Sequence, residues 1–193
     1  MMFSKDAFDF CTKNLGIKTV LDVGCGTGYH SDAFKEAGKT VTSVDITGEY
    51  EGSIAADFML YETDEKYDLV WASHILEHQL NVNAFLRKCR SLTKEDGYIA
   101  ITVPPAKPQI VGGHVSIWNA GLIMYNLVLA GYDCSSCHIK QYDYNISVIA
   151  SAGTFLLPGL TYDWGDIERI SHKLPFPYNH HGFNGDIEQF NWQ

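Results

Sequence analysis

The sequence predicts an α/β fold in which about seven strands form a doubly wound, mostly parallel sheet with helices on both faces. The first observation is that β-rich runs alternate with helix-forming segments through residues 19–103, an order typical of a parallel sheet. The second is that the β-rich runs at 133–142 and 145–150 are separated by only two residues. Such a short connection predicts an antiparallel hairpin at the C-terminal end of the fold.

A glycine-rich turn follows the first β-rich run, with Gly24, Gly26 and Gly28 at alternate positions. Glycine lets the backbone turn sharply and come close to a ligand, because it has no Cβ atom. A dinucleotide-binding turn of the form G-x-G-x-x-G would need its third glycine at position 29, where this chain has Tyr29. The carboxylate of Asp22, at the end of the strand, would repel a pyrophosphate and attract a ligand that carries an ammonium and a sulfonium group.

The other elements of this half follow in regular order. They are predicted as helix 31–37, strand 40–44, a short strand before Asp57, strand 66–73, helix 82–92, a turn at 94–97 and strand 98–103. Gly38 is placed to end the first of these helices, and Pro104 with Pro105 stops the last strand. The carboxylate of Asp45, at the tip of the second strand, can accept hydrogen bonds from a ribose diol.

This set of motifs resembles the class I S-adenosylmethionine-dependent methyltransferases, which have a Rossmann-like fold. The run Ser73-His74-Ile-Leu-Glu77-His78 after a strand is common in the small-molecule members of that class. The resemblance implies S-adenosyl-L-methionine as the cofactor. Members often hold the adenine amino group with an Asp after the third strand and stack the next residue on the ring, a pair matched here by Asp57 and Phe58. The cofactor-binding residues implied are Asp22, Gly24, Cys25, Gly26, Gly28, Asp45, Ile46, Asp57, Phe58, Ser73 and His74.

The second half of the chain carries the acceptor-side expectations. Residues 112–133 and 144–148, with Gly-Asp-Ile repeated at 165–167 and 185–187, resemble small methyltransferases encoded with bacterial surface-polysaccharide genes. That resemblance implies a sugar or a sugar-linked small molecule as acceptor. We expect one domain over residues 1–193. Its cofactor half covers about 1–104, and an acceptor-side insert and a C-terminal cover make up about 105–193.

His114 is the predicted general base. It follows the fifth strand and the Gly112-Gly113 pair, and an imidazole titrates near neutral pH, so it can take a hydroxyl proton as the oxygen attacks. The alternative is that His114 only caps a helix or orders its loop. Further acceptor-side candidates are His78, Trp118, Tyr178 and His180.

No metal site is predicted. His74 and His78 would share one face of a helix, but no convincing third ligand is visible in the sequence. Cys134 and Cys137 have C-x-x-C spacing without a second pair, which argues against a zinc site there.

Composition limits the remaining classes of partner and compartment. The net charge is −9, and the 14 Lys and Arg residues are scattered, which argues against a nucleic-acid groove. No apolar run approaches the length of about 18 residues that spans a bilayer. Scattered cysteines and the absence of a signal pattern predict a cytoplasmic protein. The open alternatives are a nicotinamide-dependent oxidoreductase and a non-catalytic S-adenosylmethionine-binding module, and the oligomeric state stays open.

Overall fold

A computed structural model describes residues 3–154 and 156–193 and contains one eight-stranded sheet. The strands are β1 (Thr19–Val23), β2 (Thr40–Asp45), β3 (Ile54–Ala55), β4 (Tyr67–Ser73), β5 (Thr93–Val103), β6 (Asp133–Tyr142), β7 (Asn145–Ser151) and β8 (Gln189–Phe190). The helices are α1 (Lys5–Asn14), α2 (Tyr29–Glu36), α3 (Val82–Leu92), α4 (Ala120–Leu129) and α5 (Asp166–Ile170). Short 3-10 turns cover Leu76–His78 and Ser171–Lys173.

The strand order is β3-β2-β1-β4-β5-β7-β6-β8. β1 pairs in parallel with both β2 and β4, and β5 continues the parallel set beside β4. β7 is antiparallel to both β5 and β6. The predicted doubly wound sheet with a C-terminal hairpin is therefore confirmed. The strand order reverses beside β1, and ligands of such sheets bind at the carboxyl ends of the strands near that point.

Alternating side chains along the central strands build two cores, one on each face of the sheet. On β4, Leu69 and Trp71 point to the face covered by α1 and α2, whereas Val70 and Ala72 point to the face covered by α3 and α4. All four side chains are fully buried. This alternation places helices on both faces, because each apolar strand face must be covered.

Three local details differ from the sequence prediction. Residues 94–97, expected as a turn, continue β5, and the register between β4 and β5 shifts between Tyr67 and Leu69. Gly97 permits this close approach, since a Cβ atom there would lie 3.0 Å from the backbone oxygens of Tyr67 and Asp68. Helix α1 was not predicted, and β8 adds an eighth strand at the edge of β6. The end of α2 is as predicted, with Gly38 at φ +76°.

The C-terminal segment packs onto the face of the sheet that carries α3 and α4. Ile170, Leu174 and Ile187 are buried in that core, and β8 pairs with β6. All five cysteines are buried and free. Within the described residues, every helix is too short or too polar to cross a bilayer.

Candidate cofactor and acceptor site

The glycine turn lies at the carboxyl end of β1 and is built on left-handed backbone. Gly24, Gly26 and Gly28 have φ values of +73°, +53° and +83°, which side chains with a Cβ atom adopt at a cost. A Cβ atom on Gly28 would lie 2.0 Å from the Tyr50 ring, and one on Gly24 would lie 2.9 Å from Ile75 Cδ1. The open space at Gly26, where nothing lies within 4 Å of such an atom, suits the approach of a ligand to the backbone.

Cys25 contributes its backbone to this turn. Its amide donates to the Val44 carbonyl at 3.3 Å, and its carbonyl accepts from the Gly28 amide at 2.9 Å. Burial raises the pKa of its thiol to about 12, so the sulfur stays neutral at physiological pH.

Asp22 is the buried acid of the site, with 2% of its surface exposed. Its Oδ2 accepts a hydrogen bond from Ser31 Oγ at 2.6 Å, and that hydroxyl is 2.7 Å from Ser43 Oγ. Burial raises the pKa of Asp22 to about 6, hydrogen bonding from Ser31 opposes this, and the charge of Asp45 reinforces it. A nearby cationic ligand would favour the ionised form of this carboxyl group.

Asp45 stands at the end of β2 and orders the glycine turn. Its Oδ2 accepts from the Gly26 amide, and its Oδ1 accepts from the amide and the hydroxyl of Thr47, all at 2.8 Å. Burial works against the carboxylate, but the hydrogen bonds from Thr47 and Gly26 lower its pKa overall. The next side chain, Ile46, is 75% exposed, so it offers an apolar surface at the same edge.

The structure separates the predicted adenine pair. Asp57 is exposed, and its Oδ1 accepts from the Met59 amide at 2.8 Å. Phe58 is only 8% exposed and packs on Phe85, with ring centroids 5.4 Å apart. This placement differs from the expected stacking of Phe58 on adenine, because the ring packs into the apolar core against Phe85. Ile46 is an exposed apolar side chain at this edge.

Ser73 and His74 follow β4. The hydroxyls of Ser73 and Ser4 are 2.6 Å apart. His74 has a left-handed backbone with φ +54°, and its ring lies between Asn145 Oδ1, 3.0 Å from Nε2, and Glu77 Oε1, 3.4 Å from Nδ1. Burial disfavours the charged imidazole, but these two acceptors raise its pKa overall.

A cavity of about 170 Å³ opens beside the carboxyl end of β5. Its polar and aromatic lining includes Glu77, Lys107, His114, Ser116, Trp118 and Tyr144. Trp118 is 6% exposed and donates its indole N–H to Ser116 Oγ at 2.9 Å. The Lys107 ammonium lies 4.1 Å from the centre of the Tyr144 ring. Two predicted acceptor-side residues, His114 and Trp118, thus line one cavity.

His114 belongs to a cluster with Glu77 and His78. One ligand atom from each of the three side chains lies within 4.8 Å of the other two, and the two imidazole rings are perpendicular with centroids 4.9 Å apart. The sequence pairing of His74 with His78 missed this cluster. The only signal for it was the position of His114 directly after the flexible Gly112-Gly113 pair.

Tyr178 and His180 lie elsewhere. The Tyr178 ring packs against Phe183 and Phe190, with centroids 6.1 and 5.8 Å away. His180 contacts the carbonyl of His181, which lines a separate groove beside α4. The described lining of the His114 cavity includes neither Tyr178 nor His180.

Comparison with known protein families identifies the family of the chain. A family model described as a methyltransferase domain matches residues 5–128, more than half of the 193-residue chain. The chain therefore belongs to the methyltransferase domain family. The methyltransferase resemblance predicted from sequence is confirmed at the level of this family.

Two sequence relatives and one solved structure illustrate the likeness. The chain is 33% identical over 102 residues to a ubiquinone biosynthesis O-methyltransferase of Actinobacillus pleuropneumoniae. This match covers 42% of the chain and 44% of the relative. It is 31% identical over 111 residues to the protein of the same name from Glaesserella parasuis, covering 47% of each. The chain thus spans about half the length of these relatives.

The solved structure is that of the 1,6-didemethyltoxoflavin-N1-methyltransferase of Burkholderia thailandensis, with bound 1,6-didemethyltoxoflavin and S-adenosylhomocysteine. It superposes with a TM-score of 0.67 at 18% identity and covers 78% of each chain. At this identity the likeness establishes the shared fold.

The buried carboxyl group of Asp22 generates a prediction about stability in the absence of cofactor. Its folded pKa of about 6 lies above the unfolded value, so the folded state gains stability from the bound proton at low pH. That stability is lost as the pH rises through about 6. Asp22→Asn removes the ionisation. The free energy of unfolding of the variant, relative to that of wild type, should therefore rise by about 1–3 kcal/mol when the pH is raised from 4.5 to 7.5.

Chemical denaturation of the cofactor-free proteins at the two pH values measures this difference. Asp64→Asn is the matched control, because Asp64 is an exposed acid, and its difference from wild type should not depend on pH. A pH-independent difference for Asp22→Asn would show that Asp22 is already ionised at low pH in the folded state.

Proposed function

We propose that the protein transfers the cofactor's methyl group to a hydroxyl oxygen of a small acceptor held in the His114 cavity. The observation that carries this proposal is the short chain segment that links the glycine turn to the cavity. Residues 74–78 connect them, since Ile75 packs against Gly24 and Glu77 lines the cavity. The names of the sequence relatives support oxygen as the methylated atom.

The lining supports a carbohydrate-derived acceptor that carries an anionic group, such as a nucleotide sugar. The Trp118 and Tyr144 rings contribute apolar wall to the cavity, against which the C–H face of a sugar can pack. Lys107 adds a positive charge at the same cavity, which attracts a phosphate or a carboxylate. A second candidate is an intermediate of ubiquinone biosynthesis, because the sequence relatives carry that name.

The residues at the carboxyl ends of β1, β2 and β4 would hold the cofactor. The open space at Gly26 would accommodate the cofactor, and Asp22 would face the cationic methionine end of that molecule. Asp45 would bind the ribose diol, Asp57 and Ile46 would contact the adenine, and Ser73 and His74 would border the bound molecule. S-adenosylmethionine supplies a methyl group made electrophilic by the sulfonium.

The chain itself positions the acceptor and removes its proton. Holding the hydroxyl oxygen in line with the methyl–sulfur bond provides much of the rate, because two bound reactants no longer need to meet by diffusion. We place His114 as the group that takes the hydroxyl proton in the cation-free protein. It is half-buried and lines the cavity, so it can reach an acceptor bound there.

The acceptor class is tested by turnover of S-adenosylmethionine labelled in its methyl group. We expect label in at least one nucleotide sugar or sugar phosphate from a panel that also contains hydroxylated aromatic acids, and label in none of the corresponding neutral free sugars. Transfer to the aromatic acids alone would favour the second candidate. A protein that binds S-adenosylhomocysteine but labels no acceptor across a broad panel would favour the non-catalytic binding module.

With the labelled acceptor, His114→Ala and His114→Gln should each lower kcat by about 10²–10⁴-fold, because neither residue can take a proton at neutral pH. The affinity for S-adenosylhomocysteine should stay close to wild type. His181→Gln, a change of an exposed histidine outside the cavity, should keep the wild-type rate. A His114→Gln enzyme with near-normal kcat and raised KM for acceptor would reduce His114 to ordering its loop.

A further inference from the structure

We propose that Glu77, His78 and His114 form a binding site for one divalent transition-metal cation of the zinc type, placed at the acceptor cavity. The three side chains provide two imidazole nitrogens and one carboxylate, a donor set that proteins use for catalytic zinc. One ligand atom from each residue lies within 4.8 Å of the other two. His114 is remote from the other two ligands along the chain, and the fold brings the three together.

Glu77 provides the independent observation. The residue is 1% exposed, and its Oε2 has no hydrogen-bond partner in the described structure. An unpaired buried carboxylate oxygen is costly. The other oxygen, Oε1, is already engaged with His74 Nδ1 at 3.4 Å. A cation at Oε2 would satisfy the remaining oxygen, and a hydrogen-bonded ligating carboxylate is typical of metal sites.

The hydrogen bonding of His78 prepares it as a ligand. Its Nδ1 lies 2.8 Å from the Gly113 carbonyl oxygen, and a carbonyl only accepts, so Nδ1 carries the proton. In the neutral ring this leaves the Nε2 lone pair free, and Nε2 lies 4.0 Å from Glu77 Oε1. A metal-bound histidine usually donates its other N–H to a carbonyl or carboxylate in this way.

The loop that carries His114 is tied to the other two ligands. The Val115 amide donates to the Glu77 carbonyl at 2.9 Å, and Gly113 accepts from His78. Metal–ligand bonds of about 2.0–2.2 Å place ligand atoms about 3–4 Å apart. The three ligand atoms, now within 4.8 Å of one another, would therefore move together by about 1 Å on binding a cation. His114 follows Gly112 and Gly113, and Gly113 has φ +82°, so this backbone can adjust.

Three protein ligands leave a tetrahedral cation with an open position, as in catalytic zinc sites. Glu77 and His114 line the cavity, so an oxygen of the acceptor would take the open position, and the cation would lower the pKa of a hydroxyl bound there. In the loaded protein His114 is a ligand rather than the proton acceptor, and the hydroxyl proton passes to solvent water. This role rests on the proposed function, whereas cation binding does not.

Direct binding tests the site on the full chain without a histidine tag. After EDTA treatment and desalting, the protein is titrated with Co²⁺, followed by its visible absorption, and with Zn²⁺ by calorimetry. We expect one equivalent to bind with a Kd of about 1 µM or tighter. His78→Ala and His114→Ala should each raise Kd at least about tenfold. These variants are preferred to Glu77→Gln because they leave the buried Glu77, and therefore the fold around it, unchanged. His181→Ala is the control and should bind as wild type.

Less than one-fifth of an equivalent bound to wild type, or unchanged Kd in both His78→Ala and His114→Ala, would overturn the proposal. Parallel methyl-transfer assays separate it from the proposed function. A protein that methylates a panel acceptor at full rate in EDTA and binds no cation refutes the cation site alone. A protein that binds one cation through these residues but methylates no panel member refutes the proposed acceptor class alone.

Discussion

The segment at residues 74–78 is the structural constraint on which the rest of the site depends. It leaves β4 through the left-handed backbone of His74, whose amide donates to the Thr102 carbonyl of β5 at 2.8 Å. Ile75 then packs against Gly24 of the glycine turn, and Glu77 lines the His114 cavity. One short segment therefore sets both the position of the glycine turn and the place of the acidic group beside His114. A change in its path would move both halves of the site.

The charged groups differ between the two parts of the carboxyl edge of the sheet. Asp22 is buried beside Ser31, and burial holds its pKa near 6, so it is ready to ionise fully next to a cationic ligand. Asp45 is already stabilised as a carboxylate by amides of the glycine turn and of Thr47. The cavity beyond β5 differs from both, since it presents Lys107 and the imidazole of His114. The electrostatics thus separate an acid-rich strand edge beside the glycine turn from a cavity that combines the Glu77 carboxylate with Lys107 and His114.

Local pattern was enough to predict most of the fold. The alternation of strands and helices, the hairpin and the end of α2 at Gly38 depend on neighbours in the chain, and the structure confirms them. Features set by distant residues could not be predicted. Phe58 turns inward because Phe85 offers a buried partner, and His114 joins Glu77 because hydrogen bonds from residues on both segments fix the loop. Tyr178 packs on Phe190 of β8, a strand too short to show in the sequence.

Our central claim is that the glycine turn and the acids at the strand ends hold S-adenosylmethionine. Calorimetric titration with S-adenosylhomocysteine tests this claim most directly. The account predicts one site per chain, with affinity reduced about 10- to 100-fold in Asp45→Ala, because a hydrogen bond to a charged group contributes about 1.5–3 kcal/mol. Glu49→Gln, an exposed change in the same loop, should bind as wild type. Saturable binding of NAD⁺ in place of S-adenosylhomocysteine, or unchanged affinity in a folded Asp45→Ala protein, would contradict it.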